Sequence, residues 1–372
     1  MGRSHDVVVI GAGVVGCAVA HELARRGASV EVVDERAAGQ GATQASAGIL
    51  APFIEAREGS PLLPLTVRSL DLFDEFVART TADSGYSIPY RRTGTLDVAT
   101  DAAGVERMSR TAALLGARGV TAELVDGARA RAEEPQLAED VCGGLLIPSH
   151  GFVAASDLTR ALATAARRHG AQVVEKSRVR RIARQDGDLV VETDRGRLPC
   201  GSVVLAAGSW SASIEIEGIT DRLPVRPVRG QLLHLAWTGP SVRRVTWSDR
   251  CYLVPWNDGT LLVGATVEEA GFDERTTVAG VRDLLEAVGD LIPRAWSAGF
   301  LGARVGLRPA SPDELPIIGR SSVLPSVVYA TAHFRNGVLL APLTAALVAD
   351  LMIEERSDPM LEGIGPGRFG DL

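Results

Sequence analysis

Cysteine is scarce in this chain, with four in 372 residues at Cys17, Cys142, Cys200 and Cys251 and no C-x-x-C pair among them. Such spacing excludes a structural zinc site and a redox dithiol, and predicts reduced, mostly buried thiols. Positive charge is not in excess: 39 Lys and Arg face 46 Asp and Glu, a net charge of -7. Phosphate neutralisation needs clustered cations, so nucleic-acid binding is excluded as a main role. The basic run Arg178, Arg180, Arg181 and Arg184 reads as a solvated face. No apolar stretch approaches bilayer length, and the first apolar run, starting at Val7, leaves no room for a signal segment. The expectation is a soluble cytoplasmic protein with no membrane partner. There is no internal repeat.

What is present is an ordinary globular composition, 46% hydrophobic and 23% charged, long enough for two or three domain-sized units. Residues 6–10 are a β-branched run ending at Gly11; residues 14–26 carry apolar side chains at helical spacing until Gly27; residues 29–33 are a second apolar strand ending at Asp34. Together they form a β-α-β unit. Residues 39–48 are Gly-, Ala- and Ser-rich without charge, which suits close approach to a ligand. Further helices are predicted at 62–80, with Leu70, Phe73, Phe76 and Val77 on one side, at 101–118, at 156–169 with Ser156 as cap, at 282–291, and from Asn336 to about residue 354. Strands are predicted at 94–99, 171–175, 188–193 and 201–205. From 232 to 267 the pattern becomes that of an antiparallel sheet, with Asn257-Asp258-Gly259 turning a hairpin between 251–254 and 260–263.

Gly11-Ala12-Gly13-Val14-Val15-Gly16 matches G-x-G-x-x-G directly after a strand and at the opening of a helix. Gly11 permits the tight turn, Gly13 lets backbone approach a pyrophosphate, and Gly16 seats the helix on the strand. Asp34, 18 residues after Gly16, is placed to accept ribose hydroxyls, and Asp34 with Glu35 would repel a 2′-phosphate. The unit alone leaves NAD and FAD open. Residues 39–48, and the apolar strand 203–208 ending in small residues, favour the more extended FAD.

With Thr43-Gln44-Ala45-Ser46-Ala47-Gly48-Ile49-Leu50, Leu205-Ala206-Ala207-Gly208-Ser209-Trp210, Cys251-Tyr252-Leu253-Val254-Pro255, Val263-Gly264-Ala265-Thr266, Gly306-Leu307-Arg308-Pro309 and His333-Phe334-Arg335-Asn336-Gly337, the chain resembles the D-amino-acid oxidase superfamily of flavoproteins. The likeness covers nearly the whole chain and is greatest to the glycine oxidase, ThiO-like branch of thiamine biosynthesis. The resemblance implies an α/β fold with a discontinuous Rossmann-type FAD-binding domain (residues 1–85, 150–222 and 303–372) and a substrate domain with an antiparallel sheet (86–149 and 223–302). It implies that FAD is held by Val14, Val15, Asp34, Glu35, Ala42, Thr43, Ala47, Gly48, Ile49, Val179 and Gly208 beside the three motif glycines. The run His333, Phe334, Arg335, Asn336, Gly337, Val338 and Leu339 completes that set. Ile49, Tyr252, Arg308 and Arg335 are implied to surround an amino-acid substrate, the last three as catalytic residues. Glycine oxidases can carry Met at the position of Ile49 and His at that of Arg250.

The implied reaction is oxidative deamination of a small amino acid, glycine first: a hydride passes from Cα to flavin N5, and the imine hydrolyses to glyoxylate and ammonia while oxygen becomes hydrogen peroxide. Arg308 is expected to hold the substrate carboxylate by paired charge-assisted bonds. Tyr252 would donate its phenol to the same group, and His333 would orient its loop rather than move a proton. Pro342 fits the first turn of the last helix, whose positive end would face the flavin. No metal is expected, and a homo-oligomer is compatible with the sequence. Two alternatives stay open: a D-amino-acid or sarcosine-like dehydrogenase using a non-oxygen acceptor, and a non-catalytic flavin-binding regulator.

Overall fold

The computed structural model describes residues 5–54, 60–185, 188–256 and 258–372. The β-branched run His5–Ile10 and the strand Val30–Val33 lie parallel, joined by helix Val14–Arg25, as the periodicity requires. They sit inside a nine-stranded sheet with Gln172–Val174 on one side and Gly196–Leu205 on the other. The last of these changes partner along its length, pairing antiparallel with Asp188–Thr193 near its start and parallel with Val327–Thr331 near its end. Because Ile10 is in register with Leu205, Gly11 and Ala206 leave the sheet side by side.

Helices Val14–Arg25, Ala155–Arg168 and Ala341–Ile353 bury their Ala, Leu and Val faces in one core on this sheet, together with Phe73 and Phe76. Alanine-rich faces permit such close helix approach. The predicted helix 62–80 is two helices, Leu62–Asp71 and Phe73–Ser84, joined at Leu72; Leu70, Phe73, Phe76 and Val77 are buried as read. Ser156 lies within its helix rather than capping it, since the ladder already begins with Leu158 N–H donating to the Ala154 carbonyl. The final helix starts at Ala341, not at Asn336. Pro342 has no N–H to give the Val338 carbonyl, so the ladder cannot extend further back, and residues 337–340 form turns instead.

The second sheet has eight strands in the order Gly299–Ala310, Arg226–Ala236, Thr260–Gly264, Tyr252–Pro255, Val245–Trp247, Thr95–Ala99, Gly143–Ile147 and Glu123–Asp126. It is antiparallel except where Val245–Trp247 runs parallel to Thr95–Ala99. The predicted hairpin is present, Leu253 pairing with Val263, while Asn257 of its turn lies outside the described residues. The helix expected at 282–291 is longer, Val278–Leu291, because the Thr277 hydroxyl caps it by accepting from Gly280 N–H. The division at residue 303 falls inside the strand Gly299–Ala310, so Arg308 rides on a strand of this sheet. A small third sheet, Ile49–Leu50 and Tyr90–Arg91 flanking Gly151–Val153, adjoins both.

All four thiols are free, three buried and Cys142 exposed. Arg178, Arg180 and Arg184 are solvent-exposed. Among the described residues, no helix is long and apolar enough to cross a membrane.

Candidate active site

One large cavity opens where the carboxyl ends of the parallel strands meet the second sheet, the position open α/β sheets use for ligands. Every residue picked out from sequence lines it, with one exception. Gly16 is outside the lining because its place is structural: a Cβ there would lie 1.9 Å from the Gly11 carbonyl oxygen. Gly11 itself has φ 108°, and its carbonyl is what Gly16 packs against.

Gly13 caps helix Val14–Arg25 without a side chain, and the Thr43 hydroxyl, reaching in from the small-residue stretch, accepts from Val14 N–H at 3.1 Å. The helix therefore presents backbone N–H groups to the cavity from its positive end. Asp34 lines the cavity and also fastens the glycine turn. Its two carboxylate oxygens accept from Ala12 N–H at 2.6 Å and Arg36 N–H at 2.7 Å, tying the glycine turn to the end of the second strand. Burial raises the Asp34 pKa, and the two N–H donors only partly offset it. Glu35, next along, lines the cavity with its carboxylate near Arg178 and Arg36. Arg36 closes this end, its guanidinium 4.4 Å above the Trp210 ring and doubly bonded to Glu274 at 2.7 and 2.9 Å.

The opposite end is built by the second sheet. Tyr252 is in register with Gly264, whose lack of a side chain leaves room for the phenol, and its ring packs 4.9 Å from Trp247. Arg308 extends from the strand Gly299–Ala310 across Gly230 on the neighbouring strand, and its Nη1 donates to the Thr266 carbonyl at 3.0 Å and the Arg229 carbonyl at 3.4 Å. The guanidinium is thus seated by two backbone carbonyls of the sheet that it crosses.

Residues 333–339 form the wall beyond Arg308. Ala332 and Phe334 hold left-handed backbone, φ 57° and 47°, fixed by Phe334 N–H donating to the Pro309 carbonyl. Arg335 is exposed at the cavity. His333 is buried with Nε2 3.0 Å from the Thr344 hydroxyl, and burial lowers its pKa to about 4, so it is neutral and anchors the loop as read. Arg250, a departure from the resembled pattern, is not part of the wall: it pairs with Asp290 at the surface.

Trp247 lines the cavity and was not picked out from sequence, where a lone tryptophan in a three-residue strand carries no signal. Gly230, Thr266 and Glu268 were also missed as supports of Arg308. Only Gly230, a glycine inside a strand, hinted at a close approach.

A family profile described as FAD dependent oxidoreductase matches residues 6–351. The bifunctional protein ThiO/ThiG of Nostoc sp. (strain PCC 7120) is 36% identical over 96% of this chain and 54% of its own length, so this chain spans about half of that relative. Glycine oxidase of Geobacillus kaustophilus (strain HTA426) is 33% identical over 95% of this chain and 94% of its own. The crystal structure of glycine oxidase from Geobacillus kaustophilus superposes with a TM-score of 0.93 at 31% identity, covering 100% of this chain and 99% of that one. Glycine oxidase from Bacillus cereus ATCC 14579 follows at 0.89 and 28%, covering 96% and 97%. With that profile matching residues 6–351 and relatives of this identity covering nearly the whole chain, the chain belongs to the FAD-dependent oxidoreductase family.

Proposed function

We propose that this chain oxidises glycine, with glyoxylate, ammonia and hydrogen peroxide as products and molecular oxygen as acceptor. The observation that carries the reading is the meeting, in one cavity, of a dinucleotide turn and an arginine seated at the far end. The residues present fit FAD: Gly11 and Gly16 pack where a Cβ would clash, Gly13 leaves the helix end without a capping side chain as suits a pyrophosphate, and Glu35 and Val179 border the end that an adenosine would fill. Each Asp34 oxygen takes one backbone N–H and keeps acceptor capacity, so Asp34, with Glu35 beside it, is the acid assigned to the ribose. When bound, FAD supplies the two-electron acceptor for the substrate Cα–H bond.

This chain's own residues do the rest. Arg308 binds the carboxylate of a small amino acid, and Tyr252 donates to the same group. Ile49 and Trp247 border the space left for the substrate side chain, which favours the smallest amino acid. Arg335, at the exposed rim, guards entry. Orientation rather than proton transfer is the main catalytic device, in keeping with a neutral, buried His333. In this reading the nine-stranded sheet holds the cofactor and the eight-stranded sheet presents the substrate groups. The glycine oxidases and ThiO/ThiG proteins among its relatives support this reading.

An anaerobic flavin-reduction screen over glycine, sarcosine, N-ethylglycine and small D- and L-amino acids tests this. Bleaching by glycine and sarcosine ahead of bulky L-amino acids is expected; bleaching by long or aromatic amino acids and not by glycine would overturn it. Peroxide released in air in step with substrate loss tests oxygen as the acceptor.

A further inference from the structure

Behind Arg308 lies a partly buried polar network that the proposed reaction does not use directly. Thr266, whose carbonyl receives Arg308 Nη1, is held at both ends of its own hydroxyl: it accepts from Gln231 N–H at 2.9 Å and donates to Glu268 Oε1 at 2.5 Å. Glu268 Oε1 also accepts from the Gln231 amide at 2.7 Å, while Oε2 accepts from the Arg229 guanidinium through Nη2 at 2.6 Å and Nε at 3.1 Å. The main chains of Arg229 and Glu268 exchange hydrogen bonds in both directions, and Arg229 supplies the second carbonyl under Arg308. Gln231 is fully buried, and Arg229 is 7% exposed. Both carbonyls that seat Arg308 thus belong to residues tied to one carboxylate.

Resting on the assignment of the substrate carboxylate to Arg308, we propose that Glu268 is a positioning residue for carboxylate recognition, acting through Thr266 and Arg229 to hold the two carbonyls that aim the Arg308 guanidinium. Four donors meet its two oxygens, an arrangement that only an ionised carboxylate satisfies; an amide would turn an N–H₂ toward donors on one side. Burial raises the Glu268 pKa, but the bonds from Thr266, Gln231 and Arg229 outweigh it and the net direction is down, so the carboxylate is charged at neutral pH. The role is one of geometry, since Glu268 reaches Arg308 only through Thr266 and Arg229.

The test compares FAD-loaded wild type, Glu268→Gln, Arg308→Ala and the double variant, reading glycine half-saturation and limiting rate of anaerobic flavin bleaching, and the Kd of acetate from its perturbation of the flavin spectrum. Glu268→Gln should raise glycine half-saturation and acetate Kd tenfold or more, with a smaller fall in limiting rate, and should have no further effect on either in the Arg308→Ala background. Thr266→Val should move both constants in the same direction, and Thr266→Ser should restore them; these two variants decide if Glu268→Gln does not load FAD. Acetate and glycine constants within twofold of wild type in Glu268→Gln would overturn the proposal, as would an equal effect of Glu268→Gln with and without Arg308. Wild-type acetate binding in Arg308→Ala would overturn the assignment of Arg308 itself, and the role of Glu268 with it.

Discussion

The guanidinium of Arg308 lies flat on Gly230: a Cβ at residue 230 would sit 2.3 Å from Cζ, Nη1 and Nη2 alike. The neighbouring strand has thus given up a side chain so that a cation can cross it. Gly230→Ala should leave the strand intact, because alanine tolerates extended backbone, but push the guanidinium off the Thr266 and Arg229 carbonyls. A tenfold or larger rise in the half-saturating glycine concentration, with FAD retained, is expected from steady-state and anaerobic titration. Unchanged saturation would show that the arginine has room to shift without losing the substrate.

In the proposed reading Arg308→Ala removes one partner of a hydrogen-bonded charge pair, which costs roughly 2 to 5 kcal/mol, or about thirtyfold to several thousandfold in kcat/KM. Arg308→Lys should recover only part of this, since an ammonium cannot reproduce a planar two-point contact. Both variants should also discriminate less between glycine and a simple amine without a carboxylate. Near wild-type kcat/KM for glycine in flavin-loaded Arg308→Ala would pass the role to Arg335.

Gly16 touches no part of the cavity, yet Gly16→Ala should abolish FAD retention. Its Cβ would meet the Gly11 carbonyl oxygen at 1.9 Å, so either the helix or the glycine turn must move, and both border the cavity. The ratio of flavin to protein absorbance after purification reads this directly. A yellow Gly16→Ala protein with wild-type affinity for added FAD would contradict it.

Burial lowers the His333 pKa from 6.5 to about 4 in the folded protein. The unfolded chain therefore binds the proton first as pH falls, and the folded state loses stability between about pH 6.5 and pH 4, by about 3 kcal/mol from this group when the window has been crossed. Above pH 6.5 His333 contributes no pH dependence. Denaturant titrations of His333→Gln against wild type should show the variant losing less stability across that window; parallel curves would place the acid sensitivity elsewhere, at the buried imidazoles of His150, lowered to about 3, and His21, also lowered by burial.

The first turn of the fold was legible because its signals are local. Gly11, Gly13, Gly16 and Asp34 stand at fixed offsets between a β-branched run and a helical one, and those offsets alone dictate strand, turn, helix and strand. The free thiols, the hairpin pairing Leu253 with Val263, and Pro342 in the first turn of the last helix are of the same kind. Boundaries were less legible where two local rules compete: Asn336 opens a helical pattern, but the missing N–H of Pro342 delays the helix to Ala341.

The chain order of residues determined that a nucleotide turn exists and which acid follows it; it did not determine what that acid bonds to. Asp34 was read from its place at the end of the second strand; that its oxygens also accept from Ala12 and Arg36 N–H, tying down the glycine turn, depends on where the turn folds back. The strand Gly299–Ala310 was hidden because Gly299, Gly302, Gly306 and Pro309 read as breakers, and only pairing with Arg226–Ala236 makes them a strand. Tertiary structure alone brought Gly230 and Thr266 against Arg308, with Glu268 behind Thr266, since these residues precede Arg308 by 78, 42 and 40 positions and share no period with it; they meet because Arg226–Ala236 pairs with Gly299–Ala310 and the chain after Gly264 folds back beside it.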